Sequence, residues 1–196
     1  MAVKKQHSGV RRRRWTAKEM YRLLDLGFFN GQRVELIEGE IFVMASQKNF
    51  HAMGITLTED ALRAAFGPAY WVRVQMSLDL TPHSVPDPDL AVIAGNIRTH
   101  DPAHNPTSAL LIVEVSATTL RFDQRRKASL YARCNIADYW ILNLVDGRLE
   151  VYRNPVPDLT HRYGYRYADV THLGPTDFVT PLALPQAKIA VIDLLP

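Results

Sequence analysis

The sequence predicts an α/β protein built from hairpins, amphipathic helices and one buried strand–helix–strand unit. Residues 109–115 form a nearly continuous apolar run, which is typical of a central strand covered on both faces. A helix at about 120–134 and a second apolar strand at 139–144 follow, and a helix between two apolar strands indicates a right-handed crossover. Short connections at 38–39 and 146–147 lie between strand-like segments, so we expect a hairpin at each.

Local patterns predict the remaining elements. Thr16 and Glu19 have the spacing of a capping box at the start of a helix. Apolar and polar residues alternate between 71 and 80, which indicates a strand with one buried face. In chain order we expect helices at 17–26, about 50–66 and about 120–134, strands at 34–37, 40–44, 71–80, 89–93, 109–115, 139–144 and 148–152, a loop at 95–107, and edge strands and loops at 162–194.

The charge distribution divides the chain into a basic tail and one larger unit. Residues 1–14 carry six positive charges and no acid, whereas the remaining chain has 17 basic and 20 acidic residues, a net charge of −3. We therefore expect a disordered basic tail at 1–14 and a single domain at 15–196. The tail either adds salt-sensitive phosphate contacts or has no specific role.

Composition also predicts where the protein works. The chain has no apolar run long enough to span a membrane, and no apolar stretch follows the basic start as in a secretory signal. The single cysteine, Cys134, excludes an internal disulfide and suits a reducing compartment. We expect a soluble cytoplasmic protein with no membrane partner, in which Cys134 is a buried helix residue.

One acid stands out because it interrupts an apolar strand. Glu114 lies between Val113 and Val115, and an ionised carboxylate buried there is costly unless a cation or strong donors compensate it. If Asp89, at the entrance of the preceding strand, lies beside it, both could bind one hard cation such as Mg2+. Considered alone, Asp89 fits a turn and Lys127 fits a solvated helix face.

Several motifs, in order, resemble the bacterial Uma-two family of restriction endonucleases. They are VELIEGE (34–40), PDLAVI (88–93), LIVEVS (111–116) and DYWI (138–141), together with Asp123, Lys127 and Tyr131. The resemblance covers residues 15–155 of the chain. It implies the PD-(D/E)xK superfamily and hence a restriction-endonuclease-like core, an α+β arrangement with a mixed β-sheet flanked by helices.

The resemblance also implies roles for individual residues. Asp89 matches the first acid of the superfamily and Glu114 the second, so these two, with the carbonyl oxygen of Val115, are the expected Mg2+ ligands, with Mn2+ as a substitute. The superfamily lysine belongs at position 116, where this chain has Ser116. The Uma-two pattern places its lysine on the following helix instead, which points to Lys127.

Three further acids are open to more than one interpretation. Glu35 matches an auxiliary acid of related nucleases, or is a solvent-facing strand residue. Asp87 competes with Asp89 for the first position, and we favour Asp89 because the apolar strand begins directly after it. We expect a structural role for Asp123, either as a helix cap or as a partner of Lys127 or of an arginine.

The function implied is a metal-dependent endonuclease that hydrolyses phosphodiester bonds of nucleic acid, with DNA as the expected substrate. Its catalytic residues are expected to be Asp89, Glu114, Lys127 and Glu35. The alternative is a catalytically silent nuclease-fold module that binds nucleic acid or has an accessory role. Ser116 at the lysine position and the net negative charge of residues 15–196 favour this alternative. A sugar hydrolase with paired carboxylates is a third possibility, but no acid pair at a readable spacing supports it.

Cutting both strands of duplex DNA needs two active sites, so we expect a homodimer. The apolar residues 139–141 and 28–29 are candidate interface segments. Packing in the core is the favoured interpretation of both.

Overall fold

The chain contains both helices and strands, as expected of a mixed α/β protein. The computed structural model describes residues 12–46 and 48–196. The helices are α1 (Ala17–Asp25), α2 (Asn49–Phe66), α3 (Leu120–Phe122) and α4 (Ala128–Arg133). The strands are β1 (Val34–Ile37), β2 (Glu40–Val43), β3 (Tyr70–Val74), β4 (Leu90–Ala94), β5 (Leu111–Ser116), β6 (Asp138–Asn143), β7 (Arg148–Pro157), β8 (Tyr165–Leu173), β9 (Phe178–Val179) and β10 (Ile189–Ala190).

A six-stranded mixed sheet forms the middle layer, with strand order β3-β4-β5-β6-β7-β8. Its neighbouring strands are antiparallel except for β5 and β6, which are parallel and are joined across the sheet by the α3–α4 segment. This arrangement confirms the predicted strand–helix–strand crossover. It also confirms a mixed sheet flanked by helices.

The two faces of β5 pack against different helices, because successive side chains of a strand point to opposite sides. Val113 and Val115 face α2 and share a core cluster with Ile55 and Leu62 of that helix. Gly54 of α2 lies so close to the sheet that an added Cβ atom would be 3.0 Å from Cγ1 of Val115. The glycine therefore sets the distance between α2 and the strand that carries Glu114.

The opposite face of the sheet packs against α4. Leu130 and Tyr131 of α4 join Ile112, Tyr139 and Ile141 in a second apolar cluster. Residues 139–141 are fully buried, which confirms their predicted use in the core, whereas Phe28 is 68% exposed, so the same prediction is wrong for that residue. Glu114 and Ser116 have the same parity as Ile112 in β5, so their side chains lie on the α4 side of the sheet.

The β1–β2 hairpin has the turn that its sequence predicts. Glu38 and Gly39 adopt φ values of 51° and 83°, and two central residues with positive φ characterise the type I′ turn that suits paired strands. Leu36 and Val85 exchange backbone hydrogen bonds of 3.1 and 2.7 Å. All four residues of β1 are buried, because the hairpin packs onto the body of the protein.

The predicted strand at 71–80 is too long. Strand β3 ends at Val74, because Gln75 has a φ of 50° and turns the chain. The Gln75 amide donates to the carbonyl of Asp89, and the Leu78 amide donates to that of Pro86, at 3.0 Å each. Leu78 is buried beyond the bend, so the alternation of apolar and polar residues continues although the segment is no longer a strand.

The N-terminal residues, the first helix and Cys134 agree with the sequence predictions to different degrees. The capping box of Thr16 and Glu19 is present, as predicted. Residues 1–11 of the predicted tail lie outside the described residues, while arginines 12–14 pair with Glu40, Glu19 and Glu38. Among the described residues, no helix has the length and apolar character needed to cross a bilayer. Cys134 is half-buried and caps the C-terminal end of α4 rather than lying buried within a helix, and its partial burial raises the pKa of the thiol to about 11.

Gly54→Ala tests the close contact between α2 and β5. On an exposed helix this change stabilises by up to about 1 kcal/mol, whereas overpacking a core costs about 1–3 kcal/mol. We expect a net loss of about 1 kcal/mol in the free energy of unfolding, measured by urea denaturation. Met53→Ala, at the exposed neighbouring position, should change it by less than about 0.5 kcal/mol. A Gly54→Ala protein more stable than wild type would contradict the tight contact.

Candidate active site

Strand register brings Asp89 and Glu114 together. Leu90 of β4 is paired with Val113 of antiparallel β5, so the next step of the register sets Asp89 opposite Glu114. The Val115 amide donates a hydrogen bond of 2.9 Å to Oδ2 of Asp89, which attaches the carboxylate to the strand that carries Glu114. Asp89 therefore lies directly before β4 and close to Glu114 of the neighbouring strand β5, which agrees with the expectation that the two acids come together.

Lys127 forms hydrogen bonds with two acids, one on strand β5 and one on the first hairpin. Its Nζ atom donates to Oε1 of Glu114 at 3.0 Å and to Oε1 of Glu35 at 3.1 Å. All three side chains are at most 4% exposed. Glu35 is therefore not the solvent-facing strand residue that one interpretation allowed. Its second oxygen, Oε2, is buried without a hydrogen-bond partner among the described residues.

A π-helical turn between α3 and α4 presents Lys127 to these acids. The turn spans Asp123–Lys127, and both residues that bound it are buried. Such turns are rare and often occur at functional sites, because the wider turn changes which side chains share a face. Sequence periodicity predicts a continuous helix here and gives no sign of the wider turn.

Ser116 occupies the position where the superfamily pattern has its lysine. It is fully buried, and its hydroxyl donates to Oδ2 of Asp123 at 2.6 Å. Asp123 thus binds β5 to the π-helical turn and acts electrostatically on Lys127. This arrangement agrees with the structural role expected for Asp123, and Lys127 approaches Glu114 from the helix.

Burial and mutual charge shift the ionisation of the cluster. Burial, reinforced by repulsion from Asp123, Asp89 and Glu35, raises the pKa of Glu114 well above its usual range despite Lys127. Burial likewise raises the pKa of Glu35 to about 7, against the lowering effect of Lys127. For Lys127, burial opposes the charged form, but attraction to Glu114 and Glu35 outweighs it and raises the pKa. The ammonium is therefore the stable cation of the cluster.

The other two candidate acids differ in their surroundings. Burial acts to raise the pKa of Asp89, but the hydrogen bond and charge of His51, together with Lys127, lower it below the usual value. For Asp87, burial dominates and the pKa is raised, although a hydrogen bond from Ser77 opposes the shift. The carboxylate form is thus favoured at Asp89 more than at Asp87.

Three contacts to the acids were not predicted as site contacts from the sequence. His51 Nε2 lies 3.3 Å from Oδ1 of Asp89, and Nε2 of Gln75 donates to the same oxygen at 3.3 Å. The Tyr131 hydroxyl donates to Oε1 of Glu114 at 2.7 Å. Tyr131 is one of the residues that resemble the Uma-two pattern, so a signal existed for it. Nothing in the local pattern marks His51 or Gln75, because a helix start and a chain bend bring them to the site.

A cavity of about 530 Å³ opens onto this cluster. Five carboxyl groups and three basic side chains line it, so it has two more carboxyl groups than cationic side chains. The acids are Glu35, Asp87, Asp89, Glu114 and Asp123, and the bases are Arg33, Lys48 and Lys127. Such a surplus beside carboxylate oxygens favours a divalent cation.

Comparison with known families decides the assignment. The family model Uma2, described as "Putative restriction endonuclease", matches residues 17–191. The chain belongs to the Uma2 family. This result confirms the resemblance seen in the ordered motifs. Among curated proteins, none matches the sequence.

Solved structures support the fold of this Uma2 member. A putative nuclease of the DUF820 group from Anabaena variabilis ATCC 29413 aligns with a TM-score of 0.64 and 13% identity, over 91% of this chain and 96% of that one. The likeness confirms the nuclease-like fold. The type IIG restriction endonuclease BpuSI overlaps over 58% of this chain and 13% of its own, with 18% identity and a TM-score of 0.36, too low to indicate a shared fold.

The residues present fit a small hard cation. Asp89 and Glu114 offer carboxylate oxygens. The amide of Val115 donates to Asp89, and in an extended strand the amide and the carbonyl of one residue point to the same side, so the Val115 carbonyl also points towards Asp89. The carbonyl of Ser116 points to the other side, where it accepts a hydrogen bond from the Leu144 amide. Within the described residues, no group of three or more His, Cys, Asp or Glu side chains is arranged to hold a metal. The predicted set needs only two carboxylates and one carbonyl.

Lys127→Met tests whether the ammonium holds the cluster together. Removing one partner of a buried ionic group costs about 3–5 kcal/mol, because the remaining charges are left uncompensated. We expect at least about 3 kcal/mol of lost unfolding free energy at pH 8 in urea denaturation. Lys18→Met, on the exposed face of α1, should cost less than about 0.5 kcal/mol. Equal stabilities of the two variants would show that the cluster does not depend on Lys127.

Proposed function

We propose that this Uma2 protein is a metal-dependent endonuclease that hydrolyses phosphodiester bonds in DNA. The observation that carries the proposal is the buried Glu35–Lys127–Glu114 cluster, which lies beside Asp89 at a cavity large enough for a ligand. A buried cluster of charges with shifted pKa values in a cleft is characteristic of a functional site. The family description, a restriction endonuclease, gives the reaction class.

The metal-binding part of the proposal assigns three ligands. Asp89, Glu114 and the Val115 carbonyl would hold Mg2+, with Mn2+ as a substitute. When bound, the cation polarises the scissile phosphate and lowers the pKa of a water molecule. Asp89 suits this role because its carboxylate form is favoured and its position is fixed by the Val115 amide.

Lys127 would act on the reacting phosphate. Its bonds to Glu35 and Glu114 use two of three ammonium protons. The third would donate to the attacking water or to a phosphate oxygen and stabilise the negative charge that develops there. Glu35 would keep the ammonium in place, because within residues 12–46 and 48–196 its carboxylate accepts a hydrogen bond from Lys127 alone.

The proposed reaction is hydrolysis by in-line displacement. The water oxygen forms a bond to phosphorus as the bond from phosphorus to one sugar oxygen breaks. The departing oxygen takes up a proton and becomes a hydroxyl, and the other fragment keeps a phosphate monoester. A homodimer, expected because duplex cleavage needs two sites, is part of the proposal for duplex substrates.

DNA cleavage by purified protein with Mg2+ or Mn2+ tests the proposal. We expect wild type to cut plasmid DNA or a circular single strand, and Asp89→Ala to lose at least about 100-fold in rate because a metal ligand is removed. Asp60→Asn, an exposed acid of α2, is the matched control and should retain wild-type activity. Circular dichroism and the thermal midpoint confirm that each variant is folded.

The same assay separates the competing interpretations. Asp87→Asn should retain most of the activity if Asp89 is the metal ligand, and a reversed result would move the first acid to Asp87. Equal residual activity in wild type and Asp89→Ala would show contamination. Absence of cleavage with every DNA and metal, in folded protein, would favour the catalytically silent module.

A further inference from the structure

The catalytic atoms lie at the inner end of a cavity. The side chains of Asp89, Glu114 and Lys127 are only 9%, 4% and 3% exposed. Glu35, on the buried hairpin strand β1, lines the same cavity and accepts a hydrogen bond from Lys127. A phosphodiester that is cut here must therefore enter the cavity of about 530 Å³.

A duplex is poorly suited to such an entrance. Duplex DNA is stiff, with a persistence length of about 50 nm, and each strand is held by pairing to its complement. Enzymes with enclosed pockets consequently act on single strands or extrude a nucleotide from the stack at a cost of a few kcal/mol. A single strand has free backbone torsions and exposed bases, so it can bend into the cavity without that cost.

The rim of the cavity has the side chains that bind single strands. Phe50, on the first turn of α2, lines the cavity and is 51% exposed. No other aromatic ring of the described residues contacts it. Arg33 and Lys48 also line the cavity, and neither forms a salt bridge with an acid in residues 12–46 or 48–196. Aromatic faces for bases and cations for the backbone are the two components of single-strand sites.

We propose that the substrate of this site is a single-stranded segment of DNA, with one base stacked on Phe50 and the flanking phosphates on Arg33 and Lys48. The proposal rests on the proposed nuclease function for the cutting step. The preference for single strands is a property of binding and is measured separately. A single-stranded substrate also removes the need for a second active site, and with it the argument for a homodimer.

Binding is measured by fluorescence anisotropy with a labelled oligonucleotide of about 20 nucleotides, which exceeds the site size of single-strand modules, and with its duplex. Metal is left out so that no cleavage occurs. We expect wild type to bind the single strand at least about tenfold more tightly, a difference of about 1.4 kcal/mol.

Variants of Phe50 test the stacking contact in the same assay. Phe50→Ala should weaken binding of the single strand by about 5- to 150-fold, the range for losing one stacked base. Phe50→Trp should bind the single strand as tightly as wild type and Phe50→Leu should bind it as weakly as Phe50→Ala, because stacking needs an aromatic face. Met53→Ala, exposed on the same helix, is the matched control and should bind as wild type. Equal binding by Phe50→Ala and wild type would overturn the stacking assignment.

Salt dependence tests the phosphate contacts. For single strands, each phosphate that the protein neutralises contributes about 0.7 to the slope of log K against log salt concentration. Arg33→Gln and Lys48→Gln should each reduce the slope by that amount, whereas Lys18→Gln on α1 should not. Equal slopes in all three variants would overturn the assigned contacts.

Cleavage of the same two oligonucleotides with Mn2+ completes the test. Faster cutting of the single strand supports the inference. Equal or faster cutting of the duplex, or equal binding of both, overturns it while the nuclease function stands. If neither is cut but the single strand is still bound through Phe50, the nuclease proposal fails and the binding preference remains.

Discussion

The ammonium of Lys127 holds the candidate site together, and the surrounding structure is arranged to supply its partners. Glu114 interrupts the buried strand β5, and Glu35 comes from a hairpin near the start of the chain. Both are nearly inaccessible to solvent, so the ionised form of each needs a compensating cation. The π-helical turn Asp123–Lys127 brings that cation from the crossover helix. The hairpin, the central strand and the crossover are therefore connected through one nitrogen atom.

Several contacts around Lys127 fix the positions of the groups in the site. Position 116 has no lysine: the hydroxyl of Ser116 donates to Asp123 at 2.6 Å, and Lys127 donates to Glu114 from the crossover helix. Gly54 has no side chain because α2 must pack tightly against Val115, and the same helix carries His51 to Asp89. The Val115 amide then fixes the carboxylate of Asp89 beside the cluster. Each contact limits the freedom of a charged group that could bind metal or phosphate.

Much of the fold follows from local patterns, whereas the completed site does not. The capping box at Thr16, the turn at 38–39 and the crossover around β5 are short-range or periodic signals, and all were predicted. The bond from Lys127 to Glu35 joins residues 92 positions apart, and no local pattern indicates it. The bend at Gln75 escapes prediction because burial of Leu78 maintains the alternation of a strand. The π-helical turn escapes it because one inserted residue hardly alters helical periodicity.

Glu114 is identified on physical grounds alone, since an acid within an apolar strand requires compensation, while Lys127 depends on the family resemblance. The catalytic roles of Asp89, Glu114, Val115, Lys127 and Glu35 stay predictions, although their spatial arrangement does not depend on the resemblance.

We propose that Asp89, Glu114 and the Val115 carbonyl bind one divalent cation next to Lys127. A crystal structure of the protein with Mn2+, with anomalous scattering measured to locate the metal, tests it most directly. We expect one anomalous peak within coordination distance of both carboxylates and the carbonyl, which disappears in Asp89→Ala. A saturated crystal without that peak, or with Mn2+ bound at Asp87 and away from Glu114, would contradict it.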